Sequence, residues 1–316
     1  MKARPAARLV LLGALLICGV PNSFAVPVDG TLDPSYGPPL STQTTQTSLY
    51  DGSQCVSQPD QVTFSTGSEL DAAYAYTEGG VLHLFFAGNM ASCYFGEITY
   101  IQHYLEIFID SKPGGQNPLR SDNSSVGYRP NALNRIAGLT FDSDFTPDYW
   151  LDCTVWWEVP PLYAYFSELD PGGGGPGYFL GQAAAGGPGT LSGGTNPDGI
   201  QVSINDSNVG GVTAGCGAAS GAGVTTGIEW AIPLSAIGNP SGCIKVCALL
   251  DCGDWCSTPF TLSNQVLGPV PLGTCDLGEP ALVDLGAISG NQYFSVCDGP
   301  TPTRPTTWGS LKAIYR

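Results

Sequence analysis

One alternating stretch, residues 149–159 (YWLDCTVWWEV), carries the side chains best suited to bind a ligand. An extended strand points alternate residues to the same side, so Trp150, Asp152, Trp156 and Glu158 share one face. The two indoles would lie about 20 Å apart at the rise of a strand. Sugar rings stack on aromatic faces and their hydroxyls bond to carboxylates. An open face therefore predicts carbohydrate binding, whereas a face covered by glycine-rich loops makes both indoles ordinary packing.

A second group of acidic residues is suited to a metal ion. Asp142, Asp144 and Asp148 lie close together in sequence, and Asp110 ends an apolar alternating stretch. Oxygen ligands at alternate positions can hold calcium. The spacing does not match the twelve-residue calcium loop, and aspartates are also common in turns. A structural calcium ion is thus one interpretation of this group, and no other cofactor is indicated.

Catalytic motifs are absent from the sequence. It contains no Gly-x-Ser-x-Gly, no His-Glu-x-x-His, no phosphate-binding loop and no dinucleotide fingerprint. The two histidines, His83 and His103, lie in or beside expected strands, where structural roles are expected. Glycoside hydrolysis needs only two carboxylates, so a carboxylate-based glycoside hydrolase remains an alternative. No stretch singles out such a pair, and we expect a protein that is not an enzyme.

The elements that must position these residues are β-strands. In residues 104–110, Leu105, Ile107 and Ile109 alternate with polar and aromatic residues, and Pro-Gly-Gly follows. Similar stretches occur at residues 81–88, 149–159, 199–204, 227–233 and 243–250. Glycine-rich segments fill much of residues 171–223 and predict long loops. The pattern predicts an all-β fold, an antiparallel β-sandwich of the jelly-roll or immunoglobulin-like type.

The N-terminus resembles an export signal. Three basic residues precede the apolar run at residues 9–20, and Ser-Phe-Ala follows, so residues 1–25 are predicted to be a secretory signal peptide. No other stretch has the ~20 apolar residues that a transmembrane helix needs. We therefore expect a secreted protein without a membrane span, located extracellularly or at the cell surface.

The expected mature chain divides into one domain and a tail. Residues 26–298 form the predicted sandwich domain. Residues 299–316 begin as a Pro/Thr linker, which is extended and semi-rigid, and end in a Trp-Gly-x-x-Lys-x-x-Tyr-Arg sequence. Two interpretations of this ending remain open: a tail packed on the domain, or a short sorting or recognition element.

The cysteines fit an oxidising compartment. Ten remain once the predicted signal peptide is removed, and an even number in an exported chain predicts up to five disulfides. The alternative for the four closely spaced cysteines at residues 243–256 is metal binding, although their spacing does not match common zinc sites. The predicted disulfide residues are Cys55, Cys93, Cys153, Cys216, Cys243, Cys247, Cys252, Cys256, Cys275 and Cys297.

The charge of the chain limits its partners. The full sequence has 11 basic and 27 acidic residues, a formal net charge of −16. Removing the predicted signal peptide brings this to about −19. Such a surface repels nucleic acid and anionic membranes. Neutral or cationic partners, or partners bridged by calcium, fit better.

Three short motifs carry a family resemblance: VDGTLD at residues 28–33, LEIFID at residues 105–110 and GIEWAIPL at residues 227–234. Together they resemble family 9 carbohydrate-binding modules and related DOMON-like β-sandwiches, as found in uncharacterised secreted bacterial proteins. The resemblance implies a sandwich with a face for a carbohydrate or small ligand, sometimes with structural calcium.

Two functions of different classes follow. The first is a secreted, non-catalytic carbohydrate-binding protein of the cell surface or extracellular matrix, with a polysaccharide or glycan as partner. The second is a structural or assembly protein of an extracellular filament or surface layer, which would self-associate through sheet edges or the Trp308 tail. An open face at Trp150 and Trp156 favours the first; burial of both, with a long unpaired edge strand, favours the second.

Overall fold

The computed structural model describes residues 26–49, 68–90, 92–95, 99–128, 131–155, 161–184, 186–208, 210–212, 215–252 and 261–297. The predicted signal peptide and the C-terminal tail lie outside these ranges. Within them, the only α-helix is α1 (Ala132–Arg135), and 3-10 helices occur at Pro34–Tyr36, Leu234–Ile237, Pro280–Leu282 and Leu285–Ala287. None of the described helices is long and apolar enough to cross a membrane.

Strands are the main regular element of the described chain, and their two facing sheets confirm the predicted all-β antiparallel sandwich. In chain order they are β1 (Ser41–Thr42), β2 (Glu69–Glu78), β3 (Val81–Asn89), β4 (Ser92–Phe95), β5 (Thr99–Asp110), β6 (Tyr149–Val155), β7 (Pro161–Glu168), β8 (Gly177–Ala184), β9 (Ser192–Gly193), β10 (Gln201–Ile204), β11 (Gly227–Pro233), β12 (Ile244–Cys252), β13 (Thr261–Leu267), β14 (Asp276–Gly278) and β15 (Phe294–Val296).

These strands form two sheets. The five-stranded sheet has the order β1-β2-β3-β11-β10. The ten-stranded sheet has the order β14-β13-β12-β5-β6-β7-β8-β9, with β15 paired to β12 and β4 paired to β5. Every pair of neighbouring strands is antiparallel. The long strand β5 therefore lies at the centre of the larger sheet, between β12 and β6.

The main core lies between the two sheets. Leu105, Ile107 and Ile109 of β5 point into it, as their alternation predicted, and they are fully buried. The five-stranded sheet contributes large side chains such as Phe86 and Trp230. Period-two patterning thus identified both the strand and its inner face.

A second core covers the outer face of the ten-stranded sheet. Phe108 of β5 and Trp150 of β6 point into it from the sheet. Leu119, Leu133 and Phe141 close it from the segment between β5 and β6. The apolar residues of that segment are sparse and have no regular period, so the alternation that predicts the strands does not single it out. In the fold this segment packs over the outer face of β12, β5 and β6, which buries both faces of these strands, and we call it the cover.

The disulfides agree with the prediction only in part. Cys216 bonds Cys275, and Cys243 bonds Cys297. Cys153 and Cys247 are buried free thiols, which corrects the expectation that they form disulfides. They lie on central strands of the same sheet but point to opposite faces, one into each core, so they cannot meet. Of the remaining predicted cysteines, Cys55 and Cys256 lie outside the described residues, as do the side chains of Cys93 and Cys252.

Glu229 of β11 ties the N-terminal segment to the five-stranded sheet. Its Oε2 accepts hydrogen bonds from the backbone amides of Asp29 (2.8 Å) and Gly30 (3.0 Å). Its Oε1 accepts one from the hydroxyl of Tyr36 (2.9 Å). Gly30 has a positive φ of 79°, and a Cβ there would lie 2.6 Å from the amide nitrogen of Asn205. Two of the motifs behind the family resemblance therefore contact each other through a buried carboxylate.

We expect Glu229→Gln to lower the free energy of unfolding by about 1–3 kcal/mol, because an amide nitrogen cannot accept the bonds that one carboxylate oxygen now receives. Urea unfolding of the mature protein measures this loss. Tyr36→Phe, which removes one of the three bonds, serves as the comparison and should cost about 1 kcal/mol. A Glu229→Gln loss no larger than that of Tyr36→Phe contradicts the anchoring role.

Candidate ligand-binding site

Three carboxyl groups lie together on the outer face of the ten-stranded sheet; we call them the carboxyl cluster. Glu106 of β5 lies directly opposite Asp152 of β6. Asp251 of β12 is two residues from Leu249, the residue opposite Glu106, so it shares the same face. Glu106 is 2% exposed, Asp152 0% and Asp251 1%. Three acidic groups are thus enclosed where the three central strands meet.

The hydrogen bonds of the cluster indicate that it holds protons. The indole Nε1 of Trp150 donates to Glu106 Oε2, and the carboxyl groups of Glu106 and Asp251 are hydrogen-bonded. Two carboxyl groups can share a hydrogen bond only when one of them is protonated. Among the described residues, neither oxygen of Asp152 has a hydrogen-bond partner.

Electrostatics agree with that geometry. Burial raises the pKa of Glu106 to about 7, although the bonds from Asp251 and Trp150 oppose the rise. Burial, with the charge of Glu106 added, raises the pKa of Asp152 well above its usual range. Removing an ion from water is costly unless it is paired, so burial favours the protonated form of both groups.

Four aromatic rings continue across the same face toward the edge of the sheet; we call them the aromatic strip. Ring centroids are 5.2 Å apart between Tyr128 and Tyr163, 6.1 Å between Tyr163 and Phe179, and 5.2 Å between Phe179 and Tyr165. Tyr128, Tyr163 and Phe179 are only partly buried. The exposed Gln182 lies opposite Tyr163 on the neighbouring strand. The strip therefore presents ring surface and an amide to solvent.

The strip and the carboxyl cluster are continuous. Tyr165 of β7 lies directly opposite Asp152 of β6. Burial raises the pKa of the Tyr165 hydroxyl, and the charge of Asp152 adds to that rise. The outer face thus changes from enclosed carboxyl groups at the centre of the sheet to partly exposed rings at β7 and β8.

The predicted ligand-binding residues are placed differently from the expectation. Trp150 and Asp152 are fully buried, so at these two positions the covered face applies and not the open face that ligand binding needs. The physical reason is the cover, whose apolar residues pack against the indole. Trp156 and Glu158 lie outside the described residues. Sequence reasoning missed the strip, although its signal was present as the alternation of Tyr163 and Tyr165 in the segment PLYAYFSE.

The four predicted metal ligands have other partners. Asp110 and Asp144 both lie near the ammonium group of Lys245, at 3.8 and 3.5 Å. Asp148 Oδ2 accepts bonds from the backbone amides of Ser111 and Lys112, and Asp142 Oδ2 accepts one from that of Gln292. In the described part of the chain, no group of three or more His, Cys, Asp or Glu residues is arranged to hold a metal ion. The geometry gives no support for calcium at these four aspartates.

Both histidines lie away from the carboxyl cluster. His103 Nδ1 is 2.5 Å from Ser68 Oγ, and burial lowers the pKa of His103 to about 3. In the five-stranded sheet, His83 of β3 stacks on Tyr76 of β2, with ring centroids 4.6 Å apart. These contacts are those of structural histidines.

A surface cavity of about 530 Å³ lies on the cover, lined by residues that include Arg120, Asp122 and Gly138. Arg120 Nε and Nη2 donate to the two carboxylate oxygens of Asp122, at 2.8 and 2.7 Å. Because each charge is satisfied by the other and both side chains are solvent-exposed, the cavity offers little to recognise a specific ligand.

The contribution of the hydrogen bond from Trp150 to Glu106 to stability can be measured separately from that of the packed indole. We expect Trp150→Phe to lower the free energy of unfolding by about 1.5–3 kcal/mol more than Trp230→Phe, because only the first substitution removes a donor to a buried carboxyl group. Both indoles are fully buried, and among the described residues Trp230 Nε1 has no hydrogen-bond partner. Urea unfolding at pH 7 measures the difference, and equal losses would show that the bond contributes nothing.

Comparison with known proteins adds no further information about this site. No family model matches the chain, and no curated protein and no solved structure shows significant similarity to it. The resemblance to family 9 carbohydrate-binding modules therefore stays a prediction from the sequence, and the function has to be argued from the geometry of the outer face.

Proposed function

We propose that this protein is a secreted, non-catalytic carbohydrate-binding protein whose ligand stacks on the aromatic strip. The observation that carries the proposal is the strip itself, a continuous series of rings of which Tyr128, Tyr163 and Phe179 are partly exposed. Aromatic rings on a rigid strand can stack with sugar rings without losing much side-chain freedom. Export is supported by the predicted signal peptide and by two disulfides.

The polar surroundings of the strip fit a neutral ligand. Gln182 is exposed beside Tyr163 and offers both a donor and an acceptor to hydroxyl groups. The net charge of −16 disfavours anionic polysaccharides. We therefore favour a neutral glycan, or one that carries amino groups, over a uronic-acid or sulfated polymer.

The described sheet edges bear on the assembly alternative. Joining subunits edge to edge needs a long strand with unpaired backbone groups. The outermost described strands are short, with two residues each in β1 and β9, three in β14 and four in β10. β1 pairs with only two residues of β2, and β9 with only two of β8, so the choice of binding over assembly rests on the strip and not on the edges.

Burial favours binding over hydrolysis. Glu106 and Asp152 lie opposite each other, which resembles the close carboxyl pair of a retaining glycosidase. Both are almost completely buried, however, and a substrate has to touch the groups that act on it. The partly exposed rings of the strip meet that requirement for binding, whereas the carboxyl pair does not meet it for catalysis.

Removing two rings of the strip tests the proposal. We expect Tyr163→Ala/Phe179→Ala to weaken polysaccharide binding about tenfold or more, since each stacking contact contributes about 0.5–1.5 kcal/mol. Pull-down on insoluble polysaccharides and calorimetry with soluble ones would measure it, using neutral, amino-sugar and uronic-acid polymers.

A matched control comes from the other sheet. Tyr76 is also a partly exposed aromatic residue, and Tyr76→Ala should leave binding unchanged. Binding that survives in a folded Tyr163→Ala/Phe179→Ala protein would place the site elsewhere. Absence of binding to every polymer, with large oligomers in sizing experiments, would favour the assembly function instead.

A further inference from the structure

The three carboxyl groups of the cluster are almost completely buried. Trp150 donates to Glu106, Tyr104 lies opposite Asp251, and Tyr165 lies opposite Asp152. Apolar Leu249 lies opposite Glu106, and Thr154, two residues from Asp152 on β6, donates its hydroxyl to the backbone carbonyl of His103. Lys245 is on the same strand as Asp251, but six residues away, about 20 Å along the strand.

The position of the cluster makes its charge state important for the sheet. Directly opposite residues on neighbouring strands have Cβ atoms about 4.5–5.5 Å apart. Glu106 and Asp152 are such a pair, and Asp251 bonds to Glu106 from the other side. Protonated carboxyl groups can share a hydrogen bond, as Glu106 and Asp251 do, whereas ionised ones repel each other in a medium that screens little. An ionised Asp152 would add to that repulsion from β6.

We propose that the carboxyl cluster is a proton-dependent clasp: while its groups are protonated they bond β12 to β5 and do not repel Asp152 of β6, and as the medium becomes neutral their ionisation loosens the outer face, including the aromatic strip. The effect on the strip rests on the proposed function; the effect on the sheet does not. Tyr165 connects the two, because it lies opposite Asp152 and contacts Phe179.

The direction of the pH dependence follows from the raised pKa values. A carboxyl group whose pKa is higher in the folded than in the unfolded protein stabilises the fold fully below its unfolded pKa, near 4. That stabilisation is lost as the pH rises through the folded pKa, which is about 7 for Glu106. The window is therefore about pH 4 to 7, and the protein is more stable at the acidic end.

Other buried acids titrate in the same window and have to be separated from the cluster. Burial raises the pKa of Asp71 and of Asp206 to about 7. Asp71 lies on β2 of the five-stranded sheet, where its carboxylate accepts bonds from Val212 and Asn208. The wild-type pH profile alone is thus not diagnostic, and variants are needed.

The test is urea unfolding of the mature protein at pH 4.5, 6.0 and 7.5, comparing wild type with Asp152→Asn and Glu106→Gln, each of which cannot ionise. We expect the unfolding equilibrium constant of the wild type to rise between pH 4.5 and 7.5, and Asp152→Asn to remove at least tenfold of that rise. Asp71→Asn is the matched control for a buried acid outside the cluster. Cluster variants with the wild-type pH slope would overturn the clasp.

Two further measurements keep the result decisive if a variant fails to fold. Infrared absorption of the wild type at pH 6 should show protonated carboxyl groups that disappear on unfolding, and their absence would contradict the proposal. Adding calcium or magnesium at pH 7.5 should leave stability unchanged. Stabilisation by either ion, lost in Asp152→Asn, would show that the cluster binds a cation rather than protons.

Polysaccharide binding at pH 5 and pH 7.5 separates this inference from the proposed function. Weaker binding at pH 7.5 in the wild type, but not in Asp152→Asn, supports a link between clasp and strip, and equal binding contradicts that link. If no polysaccharide binds at either pH, the proposed function fails, while the unfolding experiment still decides the clasp.

Discussion

Burial of both faces of β5 is the constraint on which the rest of this fold depends. A strand at the centre of a sandwich normally buries one face and leaves the other to solvent, which gives apolar and polar alternation. β5 has that alternation, yet Phe108 and Glu106 on its outer face are as buried as Leu105 on its inner face. The outer face therefore needs a cover, and the segment between β5 and β6 provides it.

The cover explains why polar groups at the centre of the sheet are costly here. Glu106, Asp152 and Asp251 occupy outer-face positions, where carboxylates of an ordinary sandwich would be hydrated. Once Leu119, Leu133 and Phe141 close over that side, each group must be neutralised or paired. Trp150 donates a hydrogen bond to Glu106, and Glu106 and Asp251 bond to each other, which requires a proton on one of them. Proton binding thus becomes part of the folded state.

Period-two patterning was sufficient to predict the strands and the inner core, but not the outer one. Residues 104–110 and 227–233 alternate clearly, and the structure has strands there. The face of Trp150 could not be assigned, because alternation separates two faces without showing whether a distant segment covers one of them. The cover has few apolar residues and no period that would identify it. Predicting that Cys153 and Cys247 stay free thiols likewise requires knowing which face of the sheet each one occupies.

The extent of the cover also determines where a ligand can reach the larger sheet. Over β12, β5 and β6 the outer face is closed, and its large side chains, such as Trp150, are packing residues. At β7 and β8 the cover thins, and Tyr163 and Phe179 become partly exposed while remaining fixed by their strands. Rings held rigidly at the margin of a covered face combine low conformational entropy with access, which recognition of a sugar ring requires. The cover that buries Trp150 does not fully bury Tyr163 and Phe179, so the rings beside the predicted site stay accessible to a ligand.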